Sequence, residues 1–208
     1  MSPEGPAAAP PEGRRATRRR RTKETEVTVE LCVDGTGAVE VSTGLPFFDH
    51  MVEQLGRHAG FDLVVRANGD LEVDAHHTVE DVGIVVGQCL RDALGDKVGI
   101  RRFGSVLVPL DEALSEVAVD LSGRPYLAYE VPFGDDVAPL GTPPFHPQLA
   151  EEFWRAFATA GLLTLHVRRR EGRNTHHVLE SSFKAVARAL RDAVRWEGGG
   201  VPSTKGTL

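Results

Sequence analysis

A pattern of two adjacent histidines and a glutamate occurs twice, over residues 76–80 and again over residues 176–180. Its six polar members are His76, His77, Glu80, His176, His177 and Glu180. On a helix, residues three and four apart share a face, whereas adjacent residues point about 100° apart. Each glutamate can therefore stand beside a histidine, and neighbouring histidines reach toward two different ions. Packing alone would place apolar residues at these steps, so the duplicated pattern predicts metal binding.

The similarity continues beyond the two copies, where residues 90–94 recur with one change as residues 190–194. Each copy begins a largely apolar stretch of helical character. Two such helices brought together would offer four imidazoles and two carboxylates, enough for two metal sites with ligands from both halves. A single His-His dipeptide is typical of a surface or a satisfied core pair, and it is the duplication that favours metal ligation.

The duplication also predicts one further ligand from each half. His50 stands 26 positions before His76, and Glu152 stands 24 positions before His176 at the start of the corresponding helix. If His50 is a ligand, Glu152 is its pseudosymmetric counterpart, and the alternative for Glu152 is a solvated carboxylate on a helix face. Imidazoles and carboxylates without thiolates suit manganese, iron, cobalt or zinc and argue against structural zinc. Paired metal ions often leave coordination positions open for substrate, which is compatible with catalysis.

Basic and hydroxyl residues form a second group of candidates, most of them in turn-rich segments, and together they could hold a phosphate beside the metal ions. They are Arg102, Arg124, Lys184, Ser203, Thr204 and Lys205. Any one of them alone is typical of a solvated surface. Lys184 follows Glu180 by four residues, so a plain ion pair within a helix is its alternative role.

Composition favours a soluble globular protein of the cytoplasm. The 208 residues carry a formal net charge of -6 and are 41% hydrophobic. We expect no membrane span, since no apolar run approaches the roughly 18 residues required, and no secretion, since the N-terminus lacks an apolar signal core. Cys32 and Cys89 have apolar neighbours, which is typical of reduced core cysteines. Four arginines at 18–21 could suggest nucleic acid, but the acidic balance favours a solvated arm and no nucleic-acid partner.

The elements that must position these residues follow from hydrophobic periodicity. The expected strands span residues 26–33, 39–42, 61–66, 71–73, 106–108, 115–121, 126–131 and 162–168. The expected helices span residues 47–58, 76–94, 148–160 and 175–196. Turn residues predict that the first two strands form a hairpin, and that Asn68-Gly69 closes another.

Each half is thus expected to contain strands, a helix, a strand and a long helix, which predicts an α+β protein with an internal duplication. The helices of both halves pack together, and a mixed sheet covers each side. We expect a disordered leader over residues 1–20, repeat halves over 21–97 and 98–197, and a phosphate-binding tail over 198–208.

Several motifs in order resemble the imidazoleglycerol-phosphate dehydratase family of histidine biosynthesis, from about residue 21 to the C-terminus. In the first half they are Arg21-x-x-Glu24-Thr25, Phe48-Asp49-His50-Met51 and Asp74-x-His76-His77-Thr78-x-Glu80-Asp81. In the second half they are Asp120-Leu121-Ser122-Gly123-Arg124-Pro125, Asn174-x-His176-His177-x-x-Glu180 and Pro202-Ser203-Thr204-Lys205-Gly206. The resemblance implies a ribosomal protein S5 domain 2-like fold and the dehydration of imidazole-glycerol phosphate to imidazole-acetol phosphate.

The resemblance further implies two manganese ions per active site. One ion would take His50, His77, Glu80 and His176, and the other would take His76, His177, Glu180 and the residue at position 152. Many family members have a histidine where this chain has Glu152, so the eighth ligand is open. Metal coordination of the substrate ring would favour its imidazolate form, which accepts electrons as hydroxide leaves.

By the same resemblance, the catalytic residues are Glu24, His77 and Glu180, with Glu24 placed for acid/base work at the substrate diol. The substrate is implied to contact Glu24, His50, Gln54, His58, Arg102, Arg124, Lys184, Ser203, Thr204 and Lys205. The family assembles as 24 subunits with active sites between subunits, so we expect a homo-oligomer.

Two other functions would use the same residues. A two-metal phosphatase would release inorganic phosphate, whereas a dehydratase retains the phosphate in a ketone product. A metal-stabilised assembly protein would have closed coordination and would bind no imidazole or triazole compound. The basic and hydroxyl candidates count against this last alternative.

Overall fold

Two four-stranded mixed sheets and four helices make up the computed structural model, which describes residues 13–134 and 136–206. The strands are β1 Arg15–Arg21, β2 Thr25–Cys32, β3 Val39–Ser42, β4 Asp62–Gly69, β5 Phe103–Leu110, β6 Ala113–Asp120, β7 Tyr126–Glu130 and β8 Thr164–Glu171. The helices are α1 Pro46–Ala59, α2 His76–Leu94, α3 Leu149–Gly161 and α4 Thr175–Ala193. The strand orders β1-β2-β4-β3 and β5-β6-β8-β7 are equivalent, which confirms the duplicated α+β fold.

The core forms where alternating strand residues meet the apolar stripes of the helices. Val27 and Val29 of β2 are fully buried, while the intervening side chains of the strand are more exposed. Successive strand residues point to opposite faces of a sheet, so one face of each sheet is free to pack on helices. One stripe of α1 faces the core, since Phe48, Met51 and Leu55 are at most 2% exposed.

The helices pair crosswise between the two halves. α1 of the first half packs on α4 of the second, and α2 of the first half packs on α3 of the second. Gly83 and Gly87 let the backbones of α2 and α3 approach closely, because a Cβ at Gly83 would lie 2.6 Å from the Phe153 carbonyl oxygen. The two histidine-rich helices therefore have different partners, and each is covered by a helix of the opposite half.

The predicted hairpin between residues 26–33 and 39–42 is wrong. β3 pairs in parallel with β4 at the far edge of the sheet, and β2 lies between β1 and β4. The backbone N–H groups of Thr36 and Ala38 donate to the Asp62 carboxylate at 2.7 and 3.0 Å, which leads the chain past β2. These backbone hydrogen bonds also lower the pKa of Asp62.

The strand expected at residues 71–73 and the hairpin at Asn68-Gly69 are wrong as well. β4 continues to Gly69, and residues 71–73 form a turn. Gly69 serves close packing rather than a turn, since a Cβ there would lie 2.1 Å from Thr78 Oγ1 at the start of α2.

The expected disordered leader is wrong over residues 15–20, which form most of β1, while residues 1–12 lie outside the described part of the chain. Arg18 and Arg20 project from the same face of β1 and form ion pairs with carboxylates of α2; the Arg20 Nε to Asp81 Oδ1 distance is 3.0 Å. The arginine run is therefore an edge strand tied to α2 by ion pairs, and composition could not locate its acidic partners.

Cys89 is buried and Cys32 is half-buried, and both are free cysteines. Burial raises the pKa of the Cys89 thiol to about 12, so this residue is an unreactive part of the core. Among the helices of the described ranges, none has the length and hydropathy needed to span a bilayer.

Replacing Gly83 by alanine should destabilise the protein by roughly 1–3 kcal/mol, the usual cost of overpacking a close contact. The added methyl group would meet the Phe153 backbone and push α2 away from α3. Urea unfolding of Gly83→Ala measures the change. Gly200→Ala is the control, because a Cβ at Gly200 has no neighbour within 4 Å. Equal midpoints for the two variants would contradict the close approach.

Candidate metal and substrate site

Three predicted site residues from both halves of the chain converge at the α1–α4 contact. The ligand atoms of His50, His176 and Glu180 all lie within 4.8 Å of one another. Glu180 Oε2 is 3.0 Å from His176 Nε2 and 3.5 Å from His50 Nε2. We call this group, His50 with His176 and Glu180, the first centre.

Local structure fixes the imidazoles of the first centre. The Asn174 side chain caps α4 by accepting the backbone N–H groups of His176 and His177 at 2.9 and 3.3 Å. The Phe47 ring meets His176 edge-on with 5.2 Å between ring centroids. Gln54, one turn along α1 from His50, places its side-chain amide 3.3 Å from His50 Nδ1. The predicted substrate residue Gln54 therefore contacts a member of the first centre.

Glu180 is held as a carboxylate at neutral pH. Burial raises its pKa, but the Lys184 ammonium at 2.6 Å, together with His176 and His50, outweighs burial and gives a net lowered pKa. The Glu180 side chain is only 13% exposed, so its charge is weakly screened by water. The helix ion pair considered as the alternative role of Lys184 is thus present, and it adjoins the first centre.

A second, looser group lies at the α2–α3 contact, in the position related to the first by the duplication. His76 Nε2 is 3.8 Å from Glu80 Oε2, and Glu80 and Glu152 line the same cavity between the two helices. Glu152 also forms an ion pair with Arg155 one turn away, at 3.6 Å. We call His76, Glu80 and Glu152 the second centre. Because α3 is the counterpart of α1, Glu152 occupies the place that His50 takes in the first centre.

The second histidine of each pair contacts a carboxylate that the sequence analysis did not single out. His77 Nδ1 lies 3.0 Å from Asp70 Oδ2, and His177 Nδ1 lies 2.8 Å from Glu112 Oε2. These hydrogen bonds are the main reason that the pKa values of His77 and His177 are raised. The His177 contact, with two backbone N–H groups, lowers the pKa of Glu112 to about 2. Asp70 and Glu112 sit in turns, and no spacing rule links them to the histidines.

The grouping within one chain differs from the division of ligands implied by the resemblance. That division assigns Glu180 to one ion and both His50 and His176 to the other, whereas all three are neighbours in the structure. It also assigns His77 to the ion of His50, whereas within the chain His77 contacts Asp70 and is not a member of the first centre.

The predicted anion-binding residues fall into two groups. Asp120 holds Arg102 through both Nε and Nη2 at 2.6 and 3.1 Å, and it lies 3.9 Å from Arg124. Arg102 Nη1 donates to the Pro202 carbonyl at 2.8 Å, which docks the tail carrying Ser203, Thr204 and Lys205. Asp120 begins the motif at residues 120–125, and its partnership with Arg102 does not follow from that motif. Residues 207–208 of the predicted tail lie outside the described part of the chain.

Lys184 and His58 form the other group, beside the first centre. Burial lowers the pKa of His58, and the positive charges of Lys184 and Arg188 lower it further. His58 is therefore neutral at pH 7 and can donate one hydrogen bond to an anion without adding a full charge.

Glu24 lies on the exposed loop between β1 and β2. The Asp70 hydrogen bond is the main cause of the raised pKa of His77, and the negative charge of Glu24 adds to it. An exposed carboxylate can accept or donate a proton at a bound molecule.

These features define an internally duplicated α+β protein with one compact imidazole–carboxylate centre, a looser second group and nearby cationic groups. The family profile described as imidazoleglycerol-phosphate dehydratase matches residues 43–190. A relative of that name from Acidothermus cellulolyticus is 59% identical over 201 residues, covering 96% of each chain. Another from Frankia casuarinae is 56% identical over 191 residues, covering 91% of this chain and 96% of the relative.

Solved structures agree with the sequence comparisons. The crystal structure of imidazoleglycerol-phosphate dehydratase from Staphylococcus aureus has a TM-score of 0.77 and 36% identity, and the match covers 88% of this chain and 99% of that one. The Pyrococcus furiosus enzyme, solved with (S)-C348, gives the same TM-score and identity over 92% of this chain and 100% of that one. The chain belongs to the imidazoleglycerol-phosphate dehydratase family, and it is accordingly a hydro-lyase of histidine biosynthesis.

Replacing Lys184 by methionine should raise the pKa of His58 toward its ordinary value, because a nearby positive charge disfavours the imidazolium form. NMR titration of the protein with isotope-labelled histidine measures this shift. Arg170→Met is the control. Arg170 lies on β8 and pairs with Glu116, so this substitution removes one positive charge away from His58. A His58 pKa that is unchanged in Lys184→Met would show that the Lys184 charge does not contribute and would contradict the prediction.

Proposed function

We propose that this chain removes water from imidazole-glycerol phosphate in a manganese-dependent reaction that yields imidazole-acetol phosphate. The observation that carries the proposal is the first centre, where His50, His176 and Glu180 meet beside the cationic Lys184. Family membership supplies the substrate class, and the cationic groups are suited to its phosphate.

The residues of both centres fit a divalent cation of the manganese type. All members are imidazoles or carboxylates, and Glu180 is ionised although its side chain is only 13% exposed. We propose as metal ligands His50, His76, His77, Glu80, Glu152, His176, His177 and Glu180. A bound ion would supply Lewis-acid stabilisation of negative charge that develops on the substrate's imidazole ring.

The other proposed roles belong to side chains of the chain itself. Net dehydration removes one C–H proton and one hydroxide from the diol carbons, and it leaves the phosphate ester intact. Glu24 moves a proton at the diol, while His77 and Glu180 complete the catalytic group. The phosphate and diol are held by His50, Gln54, His58, Arg102, Arg124, Lys184, Ser203, Thr204 and Lys205.

Assembly into a homo-oligomer, of 24 subunits by analogy with the family, would complete these sites. Arg102 and the tail are anchored around Asp120, whereas Lys184 adjoins the first centre, so a neighbouring subunit is proposed to bring the two groups together. The imidazoles of His50, His76 and His176 are 39–42% exposed in one chain, which leaves room for a neighbour's side chains. We propose that the enzyme acts in the cytoplasm.

Incubation of the manganese-loaded protein with imidazole-glycerol phosphate tests this function. The expected result is one ketone product with the phosphate still attached, and loss of activity after chelation that manganese restores. The substrate without protein is the control. Release of inorganic phosphate instead of ketone would favour a two-metal phosphatase, and no turnover of any kind would contradict both enzymes.

The variant Glu24→Gln should keep the fold and the bound metal but lose about 100-fold or more in kcat, because the amide cannot transfer a proton. Steady-state kinetics and metal analysis of the same preparation measure both properties. Glu26→Gln is the matched control, since Glu26 pairs with Arg19 and Arg21. Normal turnover by Glu24→Gln would remove Glu24 from the mechanism.

A further inference from the structure

Glu112 connects three parts of the second half of the chain through one carboxylate. It lies in the β5–β6 turn, immediately before the first residue of β6. Its Oε1 atom accepts the backbone N–H groups of Arg173 and Asn174 at 3.1 and 2.8 Å, just ahead of α4. Its Oε2 atom lies 2.8 Å from Nδ1 of His177. Backbone and imidazole thus use different oxygen atoms of the same side chain.

The ring nitrogen that Glu112 contacts decides which nitrogen of His177 can bind a metal ion. A carboxylate only accepts hydrogen bonds, so Nδ1 of His177 must carry the proton. In the neutral imidazole, Nε2 then has a free lone pair, which is the form that ligates metals. The nearest other carboxylate, Asp111, stands 3.8 Å from Nε2 and is 73% exposed at its side chain, so it does not compensate for Glu112.

In the first half of the chain a carboxylate also contacts Nδ1 of the second histidine, but it comes from a different position in the fold. Asp70, which follows β4, contacts Nδ1 of His77 at 3.0 Å. The position that corresponds to Glu112 in the first half is Glu24, which immediately precedes β2 and is exposed. At this duplicated position, Glu24 of the first half is available for acid/base catalysis, whereas Glu112 of the second half is hydrogen-bonded to an imidazole.

We propose that Glu112 is a positioning residue that fixes His177 as the Nδ1-protonated tautomer and so presents Nε2 to one of the two metal ions. This inference rests on the proposed function, because it requires that His177 binds metal. Glu112 itself touches neither ion nor substrate in this account. The Asp120 carboxylate likewise holds the side chain of Arg102 in place, but that contact selects no tautomer.

The variant Glu112→Gln changes the tautomer of His177 but keeps the hydrogen bonds that anchor the loop before α4. The glutamine oxygen can still accept from Arg173 and Asn174, and its NH2 group then faces Nδ1 of His177. A donor at Nδ1 forces the proton to Nε2, the nitrogen that must bind the ion. The variant should therefore fold normally and bind one ion about 10-fold or more weakly, as is usual when such a partner is lost.

The test is manganese binding by equilibrium dialysis of the full-length protein, with thermal unfolding of each variant in chelator as the second readout. The expected result is wild-type unfolding for Glu112→Gln, weakened binding of one ion, and wild-type binding for the neighbouring control Asp111→Asn. Wild-type affinity in Glu112→Gln overturns the inference, and so does an equal loss in Asp111→Asn, which would reflect charge alone. A wild-type protein that binds no manganese overturns the proposed function as well.

Discussion

Each of the four helices packs against a helix of the opposite half as well as against a sheet, and this crosswise packing determines where the members of both centres lie. α1 carries His50 to α4, and α3 carries Glu152 to α2. In one contact the start of α1 lies against the histidine-rich start of α4. In the other, the start of α3 lies against the histidine-rich start of α2. The two centres are thus a consequence of core formation, since neither half contains both helices of a pair.

In the first centre the carboxylate already has a cationic partner within the chain. Lys184 is the partner of Glu180, and the two imidazoles are only partly buried. The second centre is more open, with Glu152 paired to the exposed Arg155. Because an ion pair with an exposed arginine is worth little, Glu152 can be redirected toward a cation at small cost.

The sequence was sufficient for the features that repeat. The helices and the duplicated α+β order follow from periodicity and from the repeated polar pattern, whereas a site shared by His50 and His176 is implied only by the family resemblance. It was insufficient where tertiary contacts override local signals. Residues 26–33 and 39–42 have hairpin character, but Asp62 directs β3 to another strand. The arginines of β1 look disordered by composition, yet α2 supplies their carboxylates.

The residues that hold the site were the hardest to find from sequence. Asp70, Glu112 and Asp120 contact His77, His177 and Arg102 across separations of 7, 65 and 18 residues, and no pattern in the sequence predicts such contacts. The glycines of the α2–α3 contact are equally hard to find from sequence, because their role depends on the absence of a side chain. The contacts of these carboxylates and glycines exist only in the folded structure and cannot be read from positions along the sequence.

Anomalous diffraction at the manganese edge, from crystals of the manganese-loaded protein, is the most direct test of the claim that crosswise packing builds a metal centre. The account predicts a peak bonded to Glu180 and to imidazole nitrogens of His50 and His176. Manganese peaks located elsewhere, with these three side chains bonded only to one another, would contradict it.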